Sequence, residues 1–201
     1  MKSALAFLAC TAVVLAASVP RDTAKSAATF TAGAWRTDES DIIFLGPRIN
    51  ASGGKFYVNR DTSTYCPTGV SGLDCTHFTG TDTTFGIGAD STTMSLDVTV
   101  PGGQQVYLAP DGSLSYTQAH SAYIPPGSIV TGFSHDESTE PSTPFYLNSE
   151  LSTWYLCPVT YGEPTTRTYQ IFASNQDLIG CYDTRIRTYA RDPDDHVWQY
   201  A

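Results

Sequence analysis

A short aromatic motif that occurs three times constrains the fold of this chain more than any other feature. The copies are Phe56-Tyr57-Val58, Val106-Tyr107-Leu108 and Phe145-Tyr146-Leu147. Each is followed by a polar turn, namely Asn59-Arg60-Asp61, Ala109-Pro110-Asp111-Gly112 and Asn148-Ser149-Glu150. A β-prone return comes after each turn, over 62–65, 113–116 and 151–156. Hairpins repeated at long intervals predict a β-fold whose units share one core.

The remainder of the chain after Phe30 also has the pattern of short strands. From Met94 to Val100 every second residue is apolar, as in a half-buried strand. Helical spacing of apolar residues is missing, and the 12 tyrosines favour strands. The copies lie 50 and 39 residues apart, which suits a β-trefoil, with a β-sandwich as the alternative. Because closure removes exposed sheet edges, we expect an all-β, single compact barrel that is β-trefoil-like.

The first residues have the pattern of a secretory signal peptide. Lys2 precedes an apolar run from Ala4 to Ala17, which is too short to span about 30 Å of hydrocarbon. The mature protein is therefore expected to be secreted, in the extracellular space or the cell wall. We expect a signal peptide over 1–18, a flexible segment over 19–29, an all-β domain over 30–190 and an acidic tail over 191–201.

Four cysteines remain once the leader, with Cys10, is removed: Cys66, Cys75, Cys157 and Cys181. An even number in an oxidising compartment predicts two disulfides, with three possible connectivities. We favour Cys66–Cys75 and Cys157–Cys181, because each pair begins with a Cys-Pro that follows one of the repeats. Zinc is not expected, since the chain has no Cys-x-x-Cys pair.

The acidic balance of the chain restricts its partners. The net charge is −9, and loss of Lys2 with the leader makes it −10. Such a surface repels nucleic acid and anionic lipid, so neither nucleic acid nor a membrane is an expected partner. The Asn50-Ala51-Ser52 sequon precedes Gly53-Gly54 and predicts glycosylation of Asn50 on an exposed loop. The sequence leaves the oligomeric state open.

Candidates for chemistry are few. Gln118-Ala119-His120-Ser121 and Ser134-His135-Asp136 place histidine beside serine, but the chain has no Gly-x-Ser-x-Gly nucleophile elbow. The glutamates after the leader all fall in predicted loops, so no strand-mounted acid pair is expected: Glu39, Glu137, Glu140, Glu150 and Glu163. The acidic group near Pro193 is better explained as a solvated tail than as a cation site: Asp192, Asp194, Asp195 and His196. We expect that the protein is not an enzyme and that it binds no metal and no cofactor.

The turn at Pro101-Gly102-Gly103 suggests a different kind of site. Two carboxamides follow it, and three ring-bearing residues lie within the next fifteen positions. Such groups bind sugar hydroxyls by hydrogen bonding and sugar rings by stacking. The candidate contact residues are Gln104, Gln105, Tyr107, Tyr116 and His120. The alternative is a turn whose glutamines only cap neighbouring backbone groups.

A family resemblance adds a cellular context. The block from Val98 to Ser128, with Lys55-Phe56-Tyr57-Val58 and Tyr65-Cys66-Pro67, resembles secreted fungal proteins of the IgE-binding type. These are similar to the phialide-development cell-wall protein PhiA, which has Ala-Cys-Pro, an aromatic β run and a final cysteine. Leu156-Cys157-Pro158, 169–173 and Cys181 occupy those places here, and the resemblance covers 30–189. It implies a secreted, wall-associated protein and supplies no catalytic residues.

These observations predict a secreted fungal cell-wall protein without catalytic activity. We expect it to bind wall polysaccharide and to act in development or surface structure. Two alternatives remain open at this point: a freely diffusing secreted effector or allergen-like protein, and an extracellular hydrolase.

Overall fold

The computed structural model describes residues 28–37, 44–89, 91–135, 145–151, 153–159 and 167–201. The strands are β1 (Ala28–Arg36), β2 (Phe44–Arg48), β3 (Asn50–Ser52), β4 (Lys55–Val58), β5 (Thr64–Tyr65), β6 (Thr84–Ile87), β7 (Met94–Leu96), β8 (Gln104–Leu108), β9 (Leu114–Tyr116), β10 (Ser134–His135), β11 (Phe145–Asn148), β12 (Thr153–Pro158), β13 (Tyr169–Ser174), β14 (Tyr182–Ala190) and β15 (Gln199–Tyr200). A 3₁₀ helix, Cys75–His77, is the one helical element of these ranges. The all-β prediction is confirmed.

Nine strands close into one antiparallel barrel. They pair in the order β14, β12, β13, β4, β9, β8, β7, β6 and β1, and β1 then pairs with β14. Three further strands pair with members of the ring, namely β2, β3 and β11. β10 pairs with β11 at the end of the sheet, and β15 pairs with β5 in a separate sheet. The predicted barrel is therefore present, but its trefoil-like arrangement is not confirmed.

The three repeats do not form three equivalent hairpins. The second copy is a hairpin, in which Val106 of β8 faces Tyr116 of β9. In the first copy, β4 lies in the barrel but the return strand β5 pairs with β15. In the third, β11 pairs with β10 and β14, whereas β12 pairs with β13 and β14. The hairpin prediction is wrong for these two copies, because a repeated alternation of apolar residues specifies a buried face and not a pairing partner.

The barrel interior is packed with aromatic and aliphatic side chains. Phe56 is 0% exposed, and its ring centroid lies 5.2 Å from those of Phe85 and Tyr116. Tilted and edge-on contacts at this distance are the favoured geometry for aromatic pairs. The chain end joins this core, because Val197 and Tyr200 are 4% and 1% exposed.

Both expected disulfides are present, with the favoured pairing. Cys66 is joined to Cys75, with Cα atoms 5.9 Å apart, around the loop that contains the 3₁₀ helix. Cys157 is joined to Cys181, with Cα atoms 4.3 Å apart. The second bond extends the β12–β14 ladder, since Leu156 and Tyr182 are partners in that ladder. Over the described ranges no helix has the length and apolar character needed to cross a bilayer.

Candidate functional site

Strands β4, β9 and β8 present a polar and aromatic outer face beside one another. Lys55 lies opposite Ser115, and Ser115 lies opposite Tyr107. Partners in a ladder point to the same side of a sheet. Because the intervening Phe56 and Val106 are fully buried inside the barrel, Lys55, Ser115 and Tyr107 face outward.

The loop over 118–128 carries the chain from one edge of β8 to the other. It starts beside β9, where the Thr117 amide donates to the Gln105 carbonyl at 2.9 Å. It ends at Ile129, which exchanges two backbone hydrogen bonds of 2.9 Å with Leu108. The loop places Tyr123, which is 71% exposed, close to half-buried Tyr107. Burial raises the pKa of Tyr107, and the nearby Tyr123 and Asp111 raise it further.

A cleft of about 350 Å³ opens at the end of the β8–β9 hairpin. Four polar residues line it, which are Asp111, Ser174, Asn175 and Gln176. Its larger apolar residues are Pro110, Ile129, Leu151 and Leu178. Volumes of a few hundred Å³ with mixed apolar walls and a few polar groups are typical of small-ligand sites. A hydroxyl, two carboxamides and a carboxylate are the groups that bind sugar hydroxyls.

Asp111 gives the cleft a negative charge. Its Oδ1 accepts hydrogen bonds from the Ser113 amide at 3.0 Å and the Ser113 hydroxyl at 2.6 Å. Burial raises the pKa of Asp111, but these hydrogen bonds and the positive charge of Lys55 outweigh it, so the pKa lies below its usual value. Asp111 is therefore ionised at neutral pH and offers hydrogen-bond acceptors to a ligand.

Lysine beside serine is also an arrangement used by some hydrolases, and it was not recognised in the sequence. Lys55 Nζ lies 2.6 Å from Ser113 Oγ and 3.0 Å from Ser115 Oγ. However, both serines are 0% exposed, and the Ser113 hydroxyl donates to Asp111. A substrate cannot reach either oxygen, so the network links β4 to β9 and fixes the turn. Ser113 and Ser115 follow Lys55 by 58 and 60 positions, so no local sequence pattern indicates the contact.

Two of the five predicted sugar-contact residues lie in the core. Gln104 is 1% exposed, and its carboxamide binds the backbone of Thr117 and Tyr200. Tyr116 is 3% exposed, and its hydroxyl donates to the Ala201 carbonyl oxygen at 3.2 Å. Their burial excludes contact with a polysaccharide, which corrects that part of the expectation. Gln104 instead fits the alternative interpretation, in which the glutamines of this turn hydrogen-bond to neighbouring backbone groups.

The other three candidates remain at the surface. Gln105 and Tyr107 are half-buried on β8, and His120 is exposed. His120 has a φ of 60°, in the left-handed region that non-glycine residues seldom occupy. Its side chain makes no hydrogen bond to any residue that the structure describes. The exposed His120 ring is therefore accessible to a ligand.

The remaining sequence candidates either make contacts that stabilise the fold, show no site or lie outside the described residues. His135 Nε2 lies 2.9 Å from the Thr188 hydroxyl, and its ring stacks on Phe30; Asp136 falls outside the described residues. The carboxylate of Asp195 accepts backbone hydrogen bonds from Thr81 and Asp82. Within the described ranges, no three His, Cys, Asp or Glu residues are grouped to hold a metal ion. Of the glutamates, Glu150 is exposed and the other four lie outside the described residues.

Comparison with known proteins gives one informative relative. The chain is 39% identical over 132 residues to an uncharacterized secreted protein of Arthroderma benhamiae, a match covering 65% of this chain and 62% of that protein. The match thus spans less than two thirds of the relative's length. It relates this chain to a secreted fungal protein. No protein-family model matches the chain. No solved structure matches it either.

Proposed function

We propose that this is a secreted fungal protein that binds cell-wall polysaccharide without catalysing its turnover. The observation that carries the proposal is the cleft lined by the Asp111 carboxylate and the carboxamides of Asn175 and Gln176. Asp111 also lies near enough to Tyr107 to raise its pKa, and the exposed Tyr123 lies near Tyr107 in turn. The secreted fungal relative supports an extracellular location. Membership of the PhiA-like, IgE-binding-type group and association with the wall are parts of the same proposal.

The chemistry of the site fits a neutral sugar polymer. The face of a tyrosine ring packs against the C–H face of a pyranose, while carboxamides and carboxylates bind its hydroxyls. The cleft also favours binding over hydrolysis. A glycosidase needs two carboxyl groups about 5–9.5 Å apart, and Asp111 is the one carboxylate among the residues that line this cleft.

A pull-down of the mature protein with insoluble β-glucan, chitin and whole fungal walls tests the proposal. We expect the protein in the pellet with at least one of these, and about 2- to 12-fold weaker retention for Tyr123→Ala, the range of an aromatic contact. Asp111→Asn, which keeps the shape of the side chain, should also weaken retention. Tyr65→Ala is the matched control, because Tyr65 is 53% exposed on β5, outside the strands of the site.

Three outcomes would contradict this proposal. Protein that stays in the supernatant with every polysaccharide would indicate a freely diffusing secreted factor. Equal loss of retention in Tyr65→Ala and Tyr123→Ala would remove the assigned site. Soluble sugar released in proportion to incubation time would show a hydrolase.

A further inference from the structure

The Asn50-Ala51-Ser52 sequon lies on a strand and not in the exposed loop that the sequence predicts. Ala51 is 0% exposed and points inward, so Asn50 and Ser52, both half-buried, face outward from β3. In the hairpin that follows, Asn50 lies opposite Tyr57 of β4. Tyr57 also faces outward, because its neighbours Phe56 and Val58 are buried.

A cationic side chain lies over one face of the Tyr57 ring. The Arg60 guanidinium carbon lies 4.1 Å from the centroid of the Tyr57 ring. The Asn50 Nδ2 donates a hydrogen bond of 2.7 Å to the Arg60 carbonyl, so all three residues form one surface cluster. Arg60 is exposed, and its guanidinium donates to no acceptor in the described part of the chain. The cluster therefore presents an aromatic ring and unused hydrogen-bond donors beside the sequon.

We propose that Asn50 carries an N-linked glycan whose first N-acetylglucosamine packs on Tyr57 and Arg60. The donor is an oligosaccharide linked to a polyisoprenyl diphosphate. A bond forms between Asn50 Nδ2 and the sugar C1, the C1–O bond to the diphosphate breaks, and Nδ2 loses one proton. The diphosphate leaves with the electron pair. Because Nδ2 keeps its second hydrogen, the bond to the Arg60 carbonyl is compatible with the modification.

The geometry brings the sugar to the cluster. Side chains directly opposite each other in an antiparallel pair have Cβ atoms about 4.5–5.5 Å apart, so a sugar on Asn50 lies beside the Tyr57 ring. Its C–H face contacts the ring, and its N-acetyl carbonyl accepts hydrogen bonds from the Arg60 guanidinium. These contacts exist only when β3 and β4 are paired. The glycan therefore stabilises the folded state, independently of any polysaccharide bound at the cleft.

The first measurement is site occupancy. The full chain, secreted by a fungal host, is analysed by intact mass and peptide mapping. We expect hexose and N-acetylhexosamine mass on the peptide that contains Asn50, and none in Asn50→Gln or Ser52→Ala. An unmodified Asn50 peptide in the secreted protein would overturn the proposal.

The second measurement separates the packing of the sugar from its attachment. The glycan is trimmed to a single N-acetylglucosamine by an endoglycosidase. The Tm of the trimmed protein is compared with that of Ser52→Ala, which lacks the glycan but keeps the Asn50–Arg60 hydrogen bond. We expect the sugar to raise the Tm by about 2–4 °C. In the Tyr57→Ala and Arg60→Ala backgrounds the gain should vanish, whereas Tyr65→Ala should retain it. Arg60→Ala keeps the test valid if Tyr57→Ala does not fold, because Arg60 is exposed. A gain that persists in the Arg60→Ala background would overturn the packing.

Discussion

The side chain of Gln104 pairs with the backbone of Tyr200 as a neighbouring strand would. Its Nε2 donates to the Tyr200 carbonyl at 3.0 Å, and its Oε1 accepts from the Tyr200 amide at 2.8 Å. Nε2 also donates to the Thr117 carbonyl at 3.0 Å. One buried carboxamide thus satisfies three backbone groups and holds the last residues of the chain against the barrel.

Gln104→Ala should destabilise the protein strongly. The truncation leaves the Tyr200 amide and two carbonyls without partners in the core, and each buried unsatisfied group costs about 1–3 kcal/mol. Gln105→Ala is the matched control, since the neighbouring side chain faces outward, and we expect a change within about 0.5 kcal/mol. Urea denaturation followed by tryptophan fluorescence measures both. Equal losses in the two variants would show that the Gln104–Tyr200 pairing contributes no stability.

Stability should fall with rising pH above 10. Burial raises the pKa of Tyr116 to about 12, and burial also raises the pKa of Tyr200. In the unfolded chain a tyrosine ionises near pH 10, so between about pH 10 and 12 the unfolded state loses protons that the folded state keeps. Each such tyrosine lowers the unfolding free energy by about 1.4 kcal/mol per pH unit in this window.

The measurement for this alkaline effect is denaturant unfolding at pH 8, 10 and 11. Tyr116→Phe should show a shallower decline than the parent protein, because it lacks one of the shifted groups. A decline of the same slope in both proteins would refute the assignment to Tyr116. An unfolding free energy that stays constant from pH 8 to pH 11 would refute the link between tyrosine ionisation and stability.

The two disulfides should differ modestly in their contribution. Removal of Cys157–Cys181, which are 24 positions apart, should cost about 3.5 kcal/mol from chain entropy alone. Removal of Cys66–Cys75, only 9 positions apart, should cost about 2.7 kcal/mol. Paired Cys→Ala variants and chemical denaturation give these values. A larger loss for the Cys66–Cys75 pair would contradict the expected order.

Gly112→Ala should be far more damaging than Gly69→Ala. The two glycines have φ values of 83° and 82°, so alanine suffers the same backbone strain at both, about 1–2 kcal/mol. At Gly69 the added Cβ meets nothing within 4 Å, whereas at Gly112 it lies 2.7 Å from the Ala173 carbonyl oxygen. Thermal unfolding of the two variants isolates the clash. Equal Tm losses would mean that the turn moves freely away from β13.

The sequence predicts local features of the fold better than the pairing of its strands. Alternation identifies β4 and β8, and the Cys-Pro pattern supports both disulfides. Which strands pair is decided by long-range packing: the strand with Val106 pairs with the strand that follows it, whereas the strand with Phe56 pairs with the strand that precedes it. The barrel order therefore had no local signal.

The candidate site was only partly predictable for the same reason. Alternation through Val106 and Leu108 assigns Gln104 to the buried face of β8, so its position in the core was readable from the sequence. The cleft was not, because its walls come from four distant parts of the chain, at 109–112, 127–129, 151 and 173–178. Only the folding of the whole barrel brings these four segments together.

The barrel can close only after β14 has been synthesised, because β14 is the strand that pairs with β1. Phe30 lies opposite Ala190 and Trp35 opposite Arg185, so the seam of the barrel joins segments that are 150 to 160 positions apart in the sequence. As the chain emerges, β1 has one of its edges exposed until its partner residues at 185–190 have been made, which begin 150 positions after Trp35. An unpaired edge of that kind recruits other chains. Because such non-local closure is slow, β1 is the strand most exposed to aggregation until β14 has been made.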